Sequence, residues 1–483
     1  MFQHLKDIGE KMVLYGLGDS LNKAIGFFMI PLYTAYLSPR DYGIIEMMDI
    51  VIAIVSIFLQ SGINATIFRF YHSYQSSEQK CLISTALFGF PAIGLLMLAP
   101  LALFTGNLAD FLFKDTALSL LFNIVIFTIW FDSIIIIFNT YILAQQKAIF
   151  FNVFSSLRVL LGLSLNIYFL IIKQTGYIGI LYSGLISAAC AACFGFVYTF
   201  VKTGMKFSWV MLWDLYKFGA PLIPAGLGSV VNNFSDRFFL NRLASTADVG
   251  IYSLAYKFGS IISQLVTSPF LKIWATKRFQ IFESEKNPAA IFAKVFTYFL
   301  IVIFFIALLL AVNIKEVVGI MANSRFHSAA TVVPLVLLAY IIRSAYYHFN
   351  IGIYIAKQTK IIGALSAVTI PVNIGLNILL IPRFGMLGAG VVLICSFLFE
   401  ETCVLFLSQR QYRVPYEWWT IGKLFLVVVF IFVAVGKLVY LSNPFLSIAG
   451  KSVIVLLGYP ALLLIIGVIK KEEFSKAFVG IRK

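Results

Sequence analysis

The sequence predicts an all-α, polytopic membrane protein of about fourteen transmembrane helices. Three observations point there. Sixty per cent of the 483 residues are hydrophobic and only 12% are charged, against about 25% charged in a soluble domain. The apolar runs are about 20 residues long, the length that crosses a hydrocarbon core as a helix. They lack the two-residue alternation of a membrane-spanning barrel.

In order, the runs lie at 12–37, 44–68, 82–104, 117–140, 149–172, 177–200, 216–240, 250–272, 291–312, 330–355, 362–381, 387–407, 420–440 and 447–469. The first carries Asp19, Asn22 and Lys23 and is too long for a cleavable signal, so it is expected to stay as a span. The second has Asp49, Ser56 and Gln60 on one stripe. Asp132 in the fourth and Arg158 in the fifth stand at similar distances from the cytoplasmic ends of two antiparallel neighbours, so they can meet. The sixth holds Cys190 and Cys193, a C-x-x-C without a second pair, expected to be packing residues rather than a metal or redox site. The seventh carries Asn232, Asn233, Asp236 and Arg237, and the eighth carries Lys257 with Ser260 and Gln264. The tenth places Arg343, Tyr347, Asn350 and Tyr354 at helical spacing with His348 beside them, and the twelfth holds Glu400. The connections are short, the longest outer one being expected over 313–329.

Lysine and arginine set the orientation. With the N-terminus inside, cytoplasmic segments carry about 21 of the 37 lysines and arginines, among them Lys6, Lys11, Arg69, Lys80, Lys202, Lys206, Lys277, Arg278, Lys470, Lys471, Lys476, Arg482 and Lys483. Outer loops carry Arg40, Lys114, Lys173, Arg242, Lys315, Arg325 and Arg383. A bias of about threefold over short loops puts both termini in the cytoplasm. The net charge of +16 is then a topology signal, and no nucleic-acid partner is expected.

The second half of the chain restates the first. Ser38-Pro39-Arg40-Asp41-Tyr42-Gly43-Ile44 is matched by Ser245-Thr246-Ala247-Asp248-Val249-Gly250-Ile251. Ala144-Gln145-Gln146 is matched by Ala356-Lys357-Gln358, Leu165-Asn166-Ile167 by Leu376-Asn377-Ile378, and Gly176-Tyr177-Ile178-Gly179 by Gly385-Met386-Leu387-Gly388. The matches keep their order at spacings of 207 to 212 positions. An even number of spans per repeat makes the repeats parallel, related by an axis along the membrane normal. The expected organisation is a six-helix lobe over 1–205, a second over 206–412, a central cavity between them, and helices 13 and 14 with a tail over 413–483.

A charge at the centre of a spanning helix costs about 2.5–3.5 kcal/mol on insertion scales, so such residues face a cavity or a partner. Lys23, Arg158, Arg237, Lys257, Arg343, Tyr347 and Asn350 are the expected cargo-binding residues, arginine suiting phosphate and tyrosine or asparagine suiting sugar hydroxyls. Asp19, Asp132, Asp236, His348 and Glu400 are the expected ion-coupling groups. Structural pairing within or between helices is the competing reading for Asp19 with Lys23, Asp132 with Arg158, and Asp236 with Lys257. No phosphate-binding G-x-x-x-x-G-K-[ST] occurs, no cofactor or metal is expected, and energy would come from an ion gradient, the membrane potential or the cargo gradient.

Three stretches carry a family resemblance: Tyr15-Gly16-Leu17-Gly18, Ile30-Pro31-Leu32-Tyr33 through Tyr42-Gly43, and Ala65-Thr66-Ile67-Phe68-Arg69-Phe70-Tyr71. With Asp236-Arg237-Phe238 and Asp248-Val249-Gly250-Ile251-Tyr252 in the second half, they resemble the Wzx-type polysaccharide flippases of the multidrug/oligosaccharidyl-lipid/polysaccharide exporter superfamily. The resemblance implies a bacterial inner-membrane flippase for undecaprenyl-pyrophosphate-linked oligosaccharides, working by alternating access among membrane lipids, with a polysaccharide polymerase and a chain-length regulator as partners. It also implies basic cavity residues, Lys23 and Lys257 by helix position. The alternatives are a multidrug/cation antiporter or lipid II flippase of the same superfamily, or a membrane polysaccharide polymerase.

Overall fold

The computed structural model describes residues 26–60, 62–438 and 442–468. Asp19 and Lys23, and most of the first predicted segment, lie outside the described residues. The chain divides into two compact units, Met1–Gly250 and Ile251–Lys483. Every described element is helical, so the protein is all-α.

The first unit opens with α1 (Ile30–Tyr36), α2 (Pro39–Gln60) and α3 (Ile63–Tyr71). The second predicted segment is therefore broken, and Gly62 is the reason. Its φ of 83° is left-handed, and a side chain there would overlap the Cα of Gly219. Next come α4 (Ser76–Leu103), α5 (Thr105–Phe113), α6 (Ser119–Ala144), α7 (Ala148–Ile167) and α8 (Tyr177–Thr203). A π-turn over Tyr168–Ile172 ends α7. The core gathers around buried Phe138, whose ring meets Phe150, Phe154, Phe194 and Tyr198.

The connection after α8 is stitched to the start of α4. Ser84 donates to the Gly204 carbonyl (2.9 Å), and the backbone N–H groups of Lys206 and Ser208 donate to the hydroxyls of Ser84 and Thr85 (both 3.0 Å). This seats α9 (Trp209–Gly219), which buries Leu212 and Leu215 and exposes Trp209, Val210 and Trp213. The seventh predicted segment is also broken. A tight turn over Ala220–Leu222, where Pro221 lacks a donor, separates α9 from α10 (Ile223–Leu243). Helix α11 (Thr246–Ile262) then begins.

The repeated motif takes one local structure twice. Ser38 donates through its hydroxyl (2.7 Å) and its N–H (2.9 Å) to the Asp41 carboxylate, and the Asp41 N–H donates back to the hydroxyl (3.2 Å). Ser245 and Asp248 do likewise, at 2.6 and 3.1 Å. Each pair caps a helix N-terminus. The two helix starts also touch: a side chain at Gly43 would overlap the Thr246 carbonyl, and one at Gly250 would overlap the Pro39 carbonyl.

In the second unit α11 continues through a π-turn, Ser263–Thr267, into α12 (Ser268–Ser284). There follow α13 (Pro288–Met321), α14 (Ala329–Phe349), α15 (Ile351–Ile355), α16 (Lys360–Gln411), α17 (Trp418–Leu438) and α18 (Pro444–Ile465). Helix α16 holds the eleventh and twelfth predicted segments in one run, broken only at Gly385 (φ 53°). Its second half runs parallel to α14 and α15: Gly390 lies on Leu335, Glu400 on Arg343, and Ser408 on Gly352.

Ten helices among the described residues are long and apolar enough to cross a membrane, which makes this a multi-span membrane protein. Fourteen segments were expected from the sequence, and the differences have physical causes. The first lies mostly outside the described residues. The seventh and eighth form α10 and the α11–α12 rod, helical but too polar to qualify; the eleventh and twelfth merge. The outer loop expected over 313–329 shrinks, because α13 continues to Met321.

Candidate functional site

In the first unit Arg158 and Arg237 each pair with acids from within helices. Arg158 on α7 donates to the Asp132 carboxylate on α6, and the side chains are 31% and 23% exposed. The antiparallel geometry read from the sequence brings them together. Among the described residues α7 is the least buried of the candidate spans, and both side chains of the pair are partly exposed. Arg237 on α10 is different. It is buried, 3.9 Å from its neighbour Asp236 and 4.0 Å from Glu46 on α2, and it donates to the Asn233 carbonyl at 3.1 Å. The guanidinium also lies over the Phe234 ring. Elsewhere in the unit the Asn166 amide of α7 donates to the Tyr33 hydroxyl of α1 at 2.9 Å.

In the second unit Arg343 on α14 meets two carboxylates of α16. One guanidinium nitrogen lies 2.9 Å from Glu400 and 3.1 Å from Glu401. The guanidinium is flanked by the rings of Tyr346 and Phe397. Glu401 was absent from the sequence-based set.

Tyr347 and Asn350 serve a residue that the sequence placed among the topology charges. Arg278 of α12 is buried, and it donates to Asn350 Oδ1 at 2.9 Å and to the Tyr347 carbonyl at 3.4 Å. Its guanidinium lies over the rings of Phe279 and Tyr354. Among the described residues no carboxylate is within ion-pair distance of it. The signal that would have found it is weak: an arginine next to a lysine after an apolar run reads as a loop charge.

His348 sits in an aromatic cage, with the rings of Phe270, Trp274, Phe296 and Phe299 at 4.9 to 5.4 Å. Both ring nitrogens are buried without a hydrogen-bond partner. Lys257 on α11 is half-buried, and its carbonyl accepts from Ser260 at 3.0 Å. Beyond the expected residues, Asn373 and Asn377 of α16 bond to each other, and Asn373 donates to Ser396 at 3.1 Å.

Glu316 is helical and accepts from Lys451 and from Ser447, the latter at 2.9 Å. Cys190 and Cys193, expected as packing residues, are exposed free thiols. Among the described residues no group of three or more His, Cys, Asp or Glu side chains is placed to hold a metal. What the site offers is arginine held by carboxylates at positions where a phosphate could replace the carboxylate, the guanidinium fork fitting either anion.

A family model described as polysaccharide biosynthesis protein matches residues 8–274. An uncharacterised membrane protein of Methanocaldococcus jannaschii is 22% identical over 404 residues, covering 77% of this chain and 78% of that protein. Among solved structures, the fold is similar to a lipid II flippase in an inward closed conformation, with a TM-score of 0.73, 15% identity, and 93% of this chain and 98% of that one covered. It is also similar to an inward-facing multidrug resistance transporter of the MOP superfamily, with a TM-score of 0.62, 13% identity, and 82% and 93% covered.

Proposed function

Because the chain belongs to the polysaccharide biosynthesis protein family, we propose that it is a flippase for lipid-linked oligosaccharides. It moves undecaprenyl-pyrophosphate-linked repeat units from the cytoplasmic to the periplasmic leaflet of a bacterial inner membrane by alternating access. The observation that carries this reading is the family match, over more than half the chain, on a multi-span fold similar to that of a lipid II flippase. Fourteen spans in two six-helix lobes, with both termini cytoplasmic, complete the architecture under this reading. Among the described residues ten helices are long and apolar enough to span; under this reading the other spans are the first segment, α10, the α11–α12 rod and the second half of α16.

Arg158 and Arg343 are the residues we assign to the cargo, with Lys23, Arg237, Lys257, Tyr347 and Asn350 as further contacts. Each of these two arginines is about one-third exposed while its carboxylate partners are more buried. A pyrophosphate reaching either guanidinium would compete with the carboxylate for the same donors. Displacement of the acid would let it take up a proton, and this links cargo to Asp132 or Glu400. Asp19, Asp236 and His348 remain in the ion-coupling set.

The test is transport in proteoliposomes loaded with a fluorescent lipid-linked oligosaccharide, read as protection from an impermeant quencher. Protein-dependent exchange of the lipid between leaflets is expected. Efflux of a cationic dye with no movement of the lipid would replace the flippase reading with that of a drug antiporter.

A further inference from the structure

The charges around Arg343 do not balance. Helix α16 presents Ser396, Glu400, Val404 and Ser408 at four-residue intervals along its buried side, and Glu401 flanks that stripe. Both glutamates turn to the same nitrogen of Arg343, at 2.9 and 3.1 Å. Glu400 is 8% and Glu401 3% exposed. One guanidinium can neutralise one carboxylate. The second is left in a membrane-spanning helix with no cation of its own, and its Glu401 Oε2 atom is buried without a hydrogen-bond partner.

The neighbours do not supply the missing charge. From α14 the cluster is faced by Tyr346 and Tyr347, and Tyr354 of α15 approaches through Tyr346; none of these side chains is a cation. Arg278 on α12 is engaged with Asn350. Arg410, on α16 itself, lies over Phe406. Among the described residues no other lysine, arginine or histidine is within ion-pair distance of either glutamate. An alkali cation would need a shell of oxygens, and the sides of the guanidinium are instead covered by the rings of Tyr346 and Phe397.

We propose that Arg343, Glu400 and Glu401 form a proton-binding site in which the two carboxyl groups together hold one proton opposite one guanidinium. With the proton bound the cluster is neutral and fits a low-dielectric surrounding; with it lost a full negative charge is left there. The site is a place where a proton can be carried and released inside the protein. It stands on geometry and charge alone, whether or not the cargo is a glycolipid. Under the flippase reading it names where a proton gradient would act.

The stoichiometry makes it testable by infrared spectroscopy of the full-length protein in lipid, through the carbonyl stretch of a protonated carboxyl group. Glu401→Gln should remove one such group from the wild-type spectrum. Glu400→Gln should do the same, because the surviving glutamate then pairs one-to-one with Arg343 and ionises. Arg343→Gln should add one, both acids now lacking a cation. Glutamine keeps the size of glutamate, and folding is checked by size-exclusion profile. A carboxylic-acid signal unchanged in both glutamate variants would mean that both acids are ionised and would overturn the site. Because transport is not the readout, this failure is separate from a failure of the flippase reading.

Discussion

Gly43 and Gly250 occupy equivalent positions in the two copies of the Ser-x-x-Asp-x-Gly motif, and each is pressed against the opening turn of the other's helix. The carbonyl facing Gly43 belongs to Thr246 and that facing Gly250 belongs to Pro39, the first helical residues of α11 and α2. A rotamer change cannot relieve an overlap with a backbone carbonyl. Gly43→Ala and Gly250→Ala should each destabilise the protein by about 1–3 kcal/mol or more, read as a lower melting temperature in detergent. Gly319→Ala, with open space around it, is the control. Melting of either variant alongside the wild type would refute the contact.

The Arg158–Asp132 pair separates a structural from a cargo role. Arg158→Ala should abolish glycan export while protein remains in the membrane, and Arg158→Lys should restore part of it, charge surviving without the fork. The exchange Asp132→Arg with Arg158→Asp keeps the pair but moves the cation to α6. Surface glycan should stay absent in that double variant. Full recovery would assign the pair to helix packing alone.

Arg237 should behave differently, because it is buried among acids while Arg158 is partly exposed. Replacing it by methionine leaves Glu46 and Asp236 without it, and should cost about 3–5 kcal/mol. Loss of folded protein in membrane extracts is the expected result. Arg40→Ala is the comparison. Its side chain is 61% exposed and stands 3.8 Å from Asp115, a surface pair worth about 0–1 kcal/mol.

Orientation is tested at the short turn Ser324–Phe326 between α13 and α14. In a background without the native cysteines, of which Cys190 and Cys193 are exposed, Ser324→Cys should react with an impermeant thiol reagent in intact cells. Labelling of Lys206→Cys in its place would invert the topology.

Much of this was legible in the sequence because it depends on local pattern. The apolar runs give the helices, and the duplicated Ser-x-x-Asp gives the repeat, since the cap is made within four residues. Asp132 with Arg158 was legible because consecutive antiparallel helices fix which depths coincide. Arg343 stands 211 positions after Asp132, inside the repeat spacing; both repeats thus put a charge at one place on the corresponding helix, although of opposite sign. Arg278 was not legible, because its partners come from the end of α14 and the residue that follows it, 69 and 72 residues away. Glu401 was passed over because adjacent residues on a helix point in different directions, and only the position of α14 lets both glutamates reach one arginine. The breaks at Gly62 and at Ala220–Leu222 needed tertiary context too, as Gly62 and Gly219 define each other's space.

The tryptophans of α9 bear on how the chain rides in its bilayer. Trp209 and Trp213 point outward from a short helix that is anchored through Leu212 and Leu215 and through the Ser84 and Thr85 hydrogen bonds. An indole has an apolar body and one polar N–H, and it settles at the headgroup layer. Two of them on a clamped helix act as a draught mark: any rise or sinking of the first unit would drag both rings out of that layer together. Set in that layer, the two rings would tie the depth of the first unit to the thickness of its bilayer.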